Sequence, residues 1–124
     1  MKILLCEDDY GMRNLLYEKL KREGFGVQKA EDGRQAYKLL KKKKFSMIIT
    51  DLLMPFHTGL ELIDLVRNER KMDIPIIVLS KVQMEGTVMT AFLMGADDYM
   101  VKPFSPNELA LRAKRLLVKN RAIA

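Results

Sequence analysis

The stretch Ile3-Leu4-Leu5-Cys6-Glu7-Asp8-Asp9 sets a run of apolar residues directly before a run of acids. Alternate side chains of a strand point to opposite faces of its sheet, so consecutive apolar residues mark a strand buried on both faces. The acids then fall at its carboxyl end. Met12, Leu15, Leu16 and Leu20 follow at helical spacing, and Gly24 ends that helix. The unit is a strand, an acidic turn and an amphipathic helix.

Outward from this stretch the unit recurs, five times in all. Phe25 to Lys29 is a weaker strand suited to a sheet edge, and Ala36, Tyr37, Leu39 and Leu40 mark the second helix. Lys41 to Lys44 close that helix, where cations favour its dipole. Met47 to Thr50 is strand three; Leu60, Leu62, Ile63 and Val66 mark helix three; Ile74 to Leu79 is strand four. Helix four covers Met84 to Met94, and Tyr99 to Val101 is strand five. The last helix begins at Ser105-Pro106, with Ser105 as N-cap, Pro106 in the first turn and Glu108 completing a capping box. Strands alternating with helices predict an α/β, three-layer, doubly wound (βα)5 fold on a parallel sheet.

The 124 residues are 48% hydrophobic, enough for one core, and no Pro/Gly/Ser-rich linker or low-complexity tract divides them. One domain over 1-124 is expected, with no second domain. The net charge of +6 invites a nucleic-acid reading. Its distribution argues otherwise, because residues 19–44 hold ten basic and three acidic side chains and the rest of the chain sums to −1. One cysteine, Cys6, forms no internal disulfide, and no Cys/His cluster suits zinc. The apolar start runs at once into acids, which is no signal peptide, and no apolar run reaches the ~20 residues of a membrane span. A cytoplasmic protein with no membrane partner is expected.

In doubly wound sheets ligands bind at the strand carboxyl ends beside the topological switch point. There the sequence places Glu7, Asp8 and Asp9 after strand one, Asp51 after strand three, Ser80 after strand four and Lys102 after strand five. Crowded carboxylates repel one another unless a cation joins them, so a hard divalent ion, best Mg²⁺, is the expected occupant. Lys102 and Ser80 add a point charge and a hydroxyl, groups that hold phosphoryl oxygens. Each residue has a bland alternative as a cap or surface group, but all of them together at one sheet edge do not. Asp8 or Asp9 could cap helix one.

The motifs ILLCEDD, ITDLLMP, IIVLSK and GADDYMVKPFSPNEL, in this order, make the chain similar to receiver domains of bacterial two-component response regulators over essentially its whole length. The last motif, with Asp97-Asp98-Tyr99 before Lys102-Pro103-Phe104, resembles the OmpR/PhoB-like subfamily of transcriptional regulators. The resemblance implies a flavodoxin-like five-stranded sheet in order 2-1-3-4-5, and Asp51 as acceptor of a phosphoryl group from a sensor histidine kinase. It implies Mg²⁺ on Asp8 directly, on Glu7 through water, on Asp51 and on the backbone carbonyl of Leu53. The role of Asp9 stays open. Lys102, before a cis proline, would pair with the phosphoryl oxygens, Ser80 would turn inward to them, and Tyr99 would follow from exposed to buried.

The resemblance further implies a homodimer on phosphorylation, through the face of helix four, strand five and helix five. Asp97, Asp98, Glu108, Arg112 and Lys119 match its charged positions, and Met89, Phe92 and Ala110 its apolar patch. DNA would be reached only through a separate effector domain. Two departures stand out. Lys81 follows the switch hydroxyl where the family has a small residue; it could hinder the phosphodonor or lengthen the life of the acyl phosphate, and slowed access is the working hypothesis. Val88 stands where a basic partner for Glu108 is common, and loss of that pair would weaken the dimer modestly while leaving it possible.

Other features read simply: His57 as an exposed loop residue, Lys41 to Lys44 as a solvated helix end, the methionines as core filler. A flavin carrier would want a Ser/Thr/Gly-rich loop after strand one, where this chain is acidic. A haloacid dehalogenase-type phosphatase would want a second acid two residues after its nucleophile, and Asp51 is followed by Leu52-Leu53.

Overall fold

The computed structural model describes residues 1–123, with side chains through Lys119. β1 (Lys2–Cys6), β2 (Gly26–Ala30), β3 (Met47–Asp51), β4 (Ile76–Ser80) and β5 (Asp98–Val101) form one parallel sheet in the order β2-β1-β3-β4-β5. Between and after them run α1 (Tyr10–Arg22), α2 (Gly33–Lys42), α3 (Gly59–Asp64), α4 (Glu85–Met94) and α5 (Pro106–Ile123). This is the expected doubly wound fold. The strand order reverses between β1 and β3, so the crevice opens at their carboxyl ends.

The two-residue period of β1 sorts its side chains into two cores. Leu4 and Cys6 face one side with Ile48, Ile76 and Val78, under Leu40, Leu62, Ile63 and Ala91 of α2, α3 and α4. Ile3 and Leu5 face the other side with Met47, Ile49 and Ile77, under Leu16, Leu20, Leu109 and Ala113 of α1 and α5. β3 and β4 are buried throughout, as continuous apolar strands in the middle of such a sheet must be. α4 is the lightly seated helix: Ala91 is its one fully buried residue, and no side chain caps its start.

Several boundaries differ from the sequence reading. β4 begins at Ile76, because Pro75 has no N–H to give to a ladder. The third helix does not run on regularly through Val66. After Asp64 it widens into a π-helical segment, Leu65–Glu69, closed by Arg70 N donating to Leu65 O at 2.8 Å. The capping box expected at Ser105 is absent: Ser105 Oγ accepts from Asn107 N, and the Glu108 carboxylate turns to Arg112 instead. A capping box does close the start of α3, where Thr58 and Glu61 exchange bonds.

Candidate functional site

Register brings the site residues together. Cys6 pairs with Thr50, Asp51 with Leu79, and Ser80 with Val101. Glu7, Asp51, Ser80 and Lys102 therefore emerge along one edge of the sheet. With Asp8, Asp9, Met12, Leu53, Lys81 and Val82 they line a cleft of about 440 Å³.

At its floor Lys102 Nζ lies 2.6 Å from Asp51 Oδ1 and 2.8 Å from Glu7 Oε1. Asp51 is 3% exposed and Glu7 fully buried. The Lys102-Pro103 peptide is cis. Burial, and then the neighbouring Glu7 carboxyl, push the Asp51 carboxyl up to about 9. Burial also works on Glu7 in that direction, but bonds from Asp51, Lys102 and the Asp9 amide outweigh it and hold Glu7 below its ordinary value. Lys102 loses some proton affinity to burial and regains more from the two carboxylates, so its ammonium is held firmly. The trio is one unit sharing its protons.

The donor set fits a hard cation. Carboxylate oxygens of Glu7, Asp8 and Asp51 lie within 4.8 Å of one another. Asp51 Oδ1 is buried and receives no hydrogen bond of good geometry. All-oxygen ligands with a phosphate-sized opening suit Mg²⁺. Asp9 does not belong to that cluster. Its side chain caps α1, accepting from Met12 N at 2.7 Å, which settles the role left open by the sequence.

Residues that sequence reading did not single out hold the acids in place. Arg13, buried on α1, donates from Nη1 to Glu7 O at 3.0 Å and reaches Asp8 O at 3.4 Å, clamping the acidic turn by its backbone. Gly59 lies so close to Asp51 that a Cβ there would sit 2.4 Å from Asp51 O, and Gly59 N donates to Leu52 O at 2.7 Å. The Thr58-x-x-Glu61 capping signature was readable; the partners of Arg13, which are backbone carbonyls, leave no sequence pattern. Cys6, beneath the acids, is wholly buried, and burial pushes its thiol up.

Ser80 and Tyr99 meet at one residue. Ser80 Oγ accepts from Val82 N at 2.9 Å, and the Tyr99 hydroxyl donates to Val82 O at 2.8 Å. Tyr99 is 8% exposed, so the exposed starting position expected for it is not the one found. Its ring packs into the core under α4, and its hydroxyl finds an acceptor there.

On the face of α4, β5 and α5, Met89 and Phe92 are exposed as expected, beside Leu93 and Leu111. Lys119 is exposed too. Ala110 is not on that surface: it is 2% exposed, on the inward side of α5. Asp97, Asp98, Glu108 and Arg112 already have partners within the chain. Arg112 holds Asp98 and Glu108, each at 3.0 Å. Asp97 accepts from Ile76 N at 2.8 Å and pairs with Arg67 at 2.9 Å, which makes it a structural anchor at the start of β4. Val88 packs against the core. His57 is half-buried, not exposed, stacked on Tyr37 with centroids 3.8 Å apart. Its backbone fills the space over Gly33, which explains the burial.

With this geometry in view the chain's relatives are clear. Residues 3–114 match the response regulator receiver domain family, and the chain belongs to it. It is 38% identical over 116 residues to the transcriptional regulatory protein SrrA of Staphylococcus aureus, covering 94% of this chain and 47% of SrrA. The chain thus spans about half the length of the curated relatives it matches. Among solved structures, the receiver domain of Francisella response regulator 1452 is 28% identical with a TM-score of 0.90, covering 96% of this chain and 98% of that one. The response regulator TrrA of Thermotoga maritima, solved with Mg²⁺ and BeF, is 33% identical with a TM-score of 0.82, covering 93% and 97%. Two-component signalling is the setting of this family. No helix among the described residues is long and apolar enough to cross a membrane.

Proposed function

We propose that this chain is a phosphoryl-accepting switch. Asp51 takes a phosphoryl group from the phosphohistidine of a sensor histidine kinase, with Glu7, Asp8, Asp51 and the backbone carbonyl of Leu53 holding Mg²⁺. The observation that carries the reading is Asp51 itself, a buried carboxylate at the end of β3 facing an open cleft, with Lys102 2.6 Å away. An Asp51 oxygen bonds to phosphorus as the phosphorus–nitrogen bond breaks, and the imidazole leaves with the electron pair and takes up a proton from solvent. The bound ion supplies the positive charge that keeps Asp51 ionised and offsets the incoming phosphoryl oxygens.

The chain's own residues do the rest. Lys102 keeps its ammonium charged and transfers its pairing from Asp51 to the phosphoryl oxygens. The added charge, about −1.5 to −2, draws the Ser80 hydroxyl away from Val82 N. Since Tyr99 is tied to the other side of Val82, the β4–α4 loop and the lightly seated α4 shift with it. The exposed Met89 and Phe92 then offer a homodimer contact, with Arg112, Asp98 and Glu108 able to exchange their ion pairs across it and Lys119 exposed beside them. The domain catalyses only its own phosphorylation and dephosphorylation. Control of transcription would pass through an effector domain not contained in these 124 residues, a role supported by the likeness to SrrA. A cytoplasmic setting accords with that role.

The test is incubation with Mg²⁺ and acetyl phosphate, read by intact mass and by sizing. The expected result is a gain of one phosphoryl group, absent in Asp51→Asn, with a shift toward dimer. No gain from acetyl phosphate or from the cognate kinase overturns the reading.

A further inference from the structure

Crossover helices in a parallel sheet run back against the strands, so their carboxyl ends gather at the strands' amino ends, opposite Asp51. In this chain that pole is strongly basic. α1 ends in Lys21-Arg22, α2 ends in Lys41-Lys42, and Lys43-Lys44 lead on toward β3. The segments touch one another. Gly26 N donates to Met1 O at 2.9 Å and Ser46 N to Lys2 O at 2.7 Å. Lys43 Nζ donates to Gln28 Oε1 at 3.1 Å, and Arg70 Nη2 to Leu40 O at 3.2 Å. The cations therefore gather around the amino ends of β1, β2 and β3.

Lys2, Arg22 and Lys41 to Lys44 are exposed, and none of them is in an ion pair among the described residues. Glu23, the acid in their midst, is already held by Lys19 and Lys114. Exposed Glu69 and Asp73 lie at one flank, beside Arg70 and Lys71, and exposed Glu18 stands one turn before Arg22. Against the expectations that DNA is reached only through a separate effector domain and that Lys41 to Lys44 are a solvated helix end, we infer that this basic pole itself docks on the phosphate backbone of duplex DNA, independently of the phosphoryl site.

Chemistry narrows the occupant. Unpaired lysines spread over several chain segments match a row of phosphates, and they gain by releasing the row's counterions. A lipid surface would want large apolar residues beside the cations. Apart from Met1, the exposed ones lie elsewhere, on α1, the β3–α3 loop, the β4–α4 loop, α4 and α5. Single strands would want free aromatic faces, and the nearby Tyr17 ring is covered by the Lys21 and Lys29 ammoniums. The choice of DNA over duplex RNA rests on the transcriptional role proposed above. The acidic cleft at the opposite pole turns the domain so that its basic end meets the polyanion.

The test measures binding of the unphosphorylated chain to a 30-base-pair DNA duplex of arbitrary sequence as salt rises from 50 to 200 mM, with anionic vesicles as a second probe. Affinity should fall by about tenfold or more across that range, and Lys42→Gln with Lys44→Gln should lower the log–log salt slope by about two. A pair of equal charge away from the pole, Arg34→Gln with Arg115→Gln, should leave the slope within one of the parent. No binding at 50 mM salt, equal losses from both pairs, or tighter binding to vesicles than to DNA overturns the proposal. Phosphoryl uptake at Asp51 is measured on the same samples by mass, so failure there and failure on DNA are separate results.

Discussion

Glu7 and Lys102 stand 95 residues apart in the chain, and their side chains meet at 2.8 Å. The contact joins the first strand of the sheet to the last, over the carboxylate of Asp51. A cation and two carboxylates in so small a volume leave one negative charge in excess. Without a metal, that excess is met by a proton held on Asp51.

Metal entry must displace this proton. Because Asp51 is pushed up to about 9, it carries a proton through neutral pH, and Mg²⁺ competes with it. Mg²⁺ affinity should therefore rise with pH between about 6 and 9, by at most about tenfold per unit. Calorimetry in two buffers of different ionisation enthalpy should show up to one proton released per ion bound at pH 7. Binding with no proton release would contradict the shared-proton description.

The same displacement fixes a stability effect. The Asp51 pKa is higher folded than unfolded, so the folded state binds more protons between the ordinary carboxylate value of 3.8 and about 9. Its contribution to stability is thus fullest below that window and declines as pH rises through it. Asp51→Asn removes the cost of keeping this buried group neutral or charged. At pH 7 in the presence of a chelator the variant should be more stable by about 2 kcal/mol, measured by urea unfolding. The gap should narrow when Mg²⁺ is added, since the ion favours only the carboxylate.

Lys81 lies in the cleft wall, exposed, next to Ser80. The working hypothesis is that this long side chain at the mouth slows the phosphodonor. Lys81→Ala should raise the rate of phosphorylation by acetyl phosphate about threefold or more, followed by mass spectrometry. Unchanged rates of both phosphorylation and dephosphorylation would dismiss the idea.

Arg67 is the largest single tie outside the site. Its guanidinium donates to Met72 O and Ile74 O at 2.8 Å, to Gly95 O at 2.9 and 3.1 Å, and to Asp97 at 2.9 Å. Removing it leaves three carbonyls without these donors and Asp97 with only the Ile76 amide. Arg67→Ala should cost about 2–4 kcal/mol in urea unfolding. Amide exchange should rise at Ile76 and at the carboxyl end of α4, where Gly95 turns at φ 123° against the Arg67 stem.

Much of this arrangement was legible in the chain. Apolar runs gave every strand to within a residue or two, and the residues just past four of the five runs line the cleft. The sheet favours that, since Glu7, Asp51, Ser80 and Lys102 sit where β1, β3, β4 and β5 leave the core. What escaped notice depends on contacts between distant segments. The π-helical widening after Asp64 preserves the apolar stripe, so its periodicity still looks helical. Asp97 looks like a surface acid until Arg67 and Ile76 N are placed beside it. Arg13, Arg67 and Gly59 act on backbone atoms, and backbone is the same at every position. Ala110 shows the opposite error, a small apolar residue assigned outward on an α5 that turns it inward.

Cys6 closes β1 with no access to solvent, its thiol pushed toward the neutral form. A maleimide reaches it only when the central sheet parts, so the chain carries an internal chronometer of its own opening. Labelling rates with and without Mg²⁺ or a phosphodonor would read how tightly each clasps the sheet, with no probe added near Asp51. The same seclusion makes the thiol a poor target for oxidants, and keeps a signalling centre one residue away deaf to redox change.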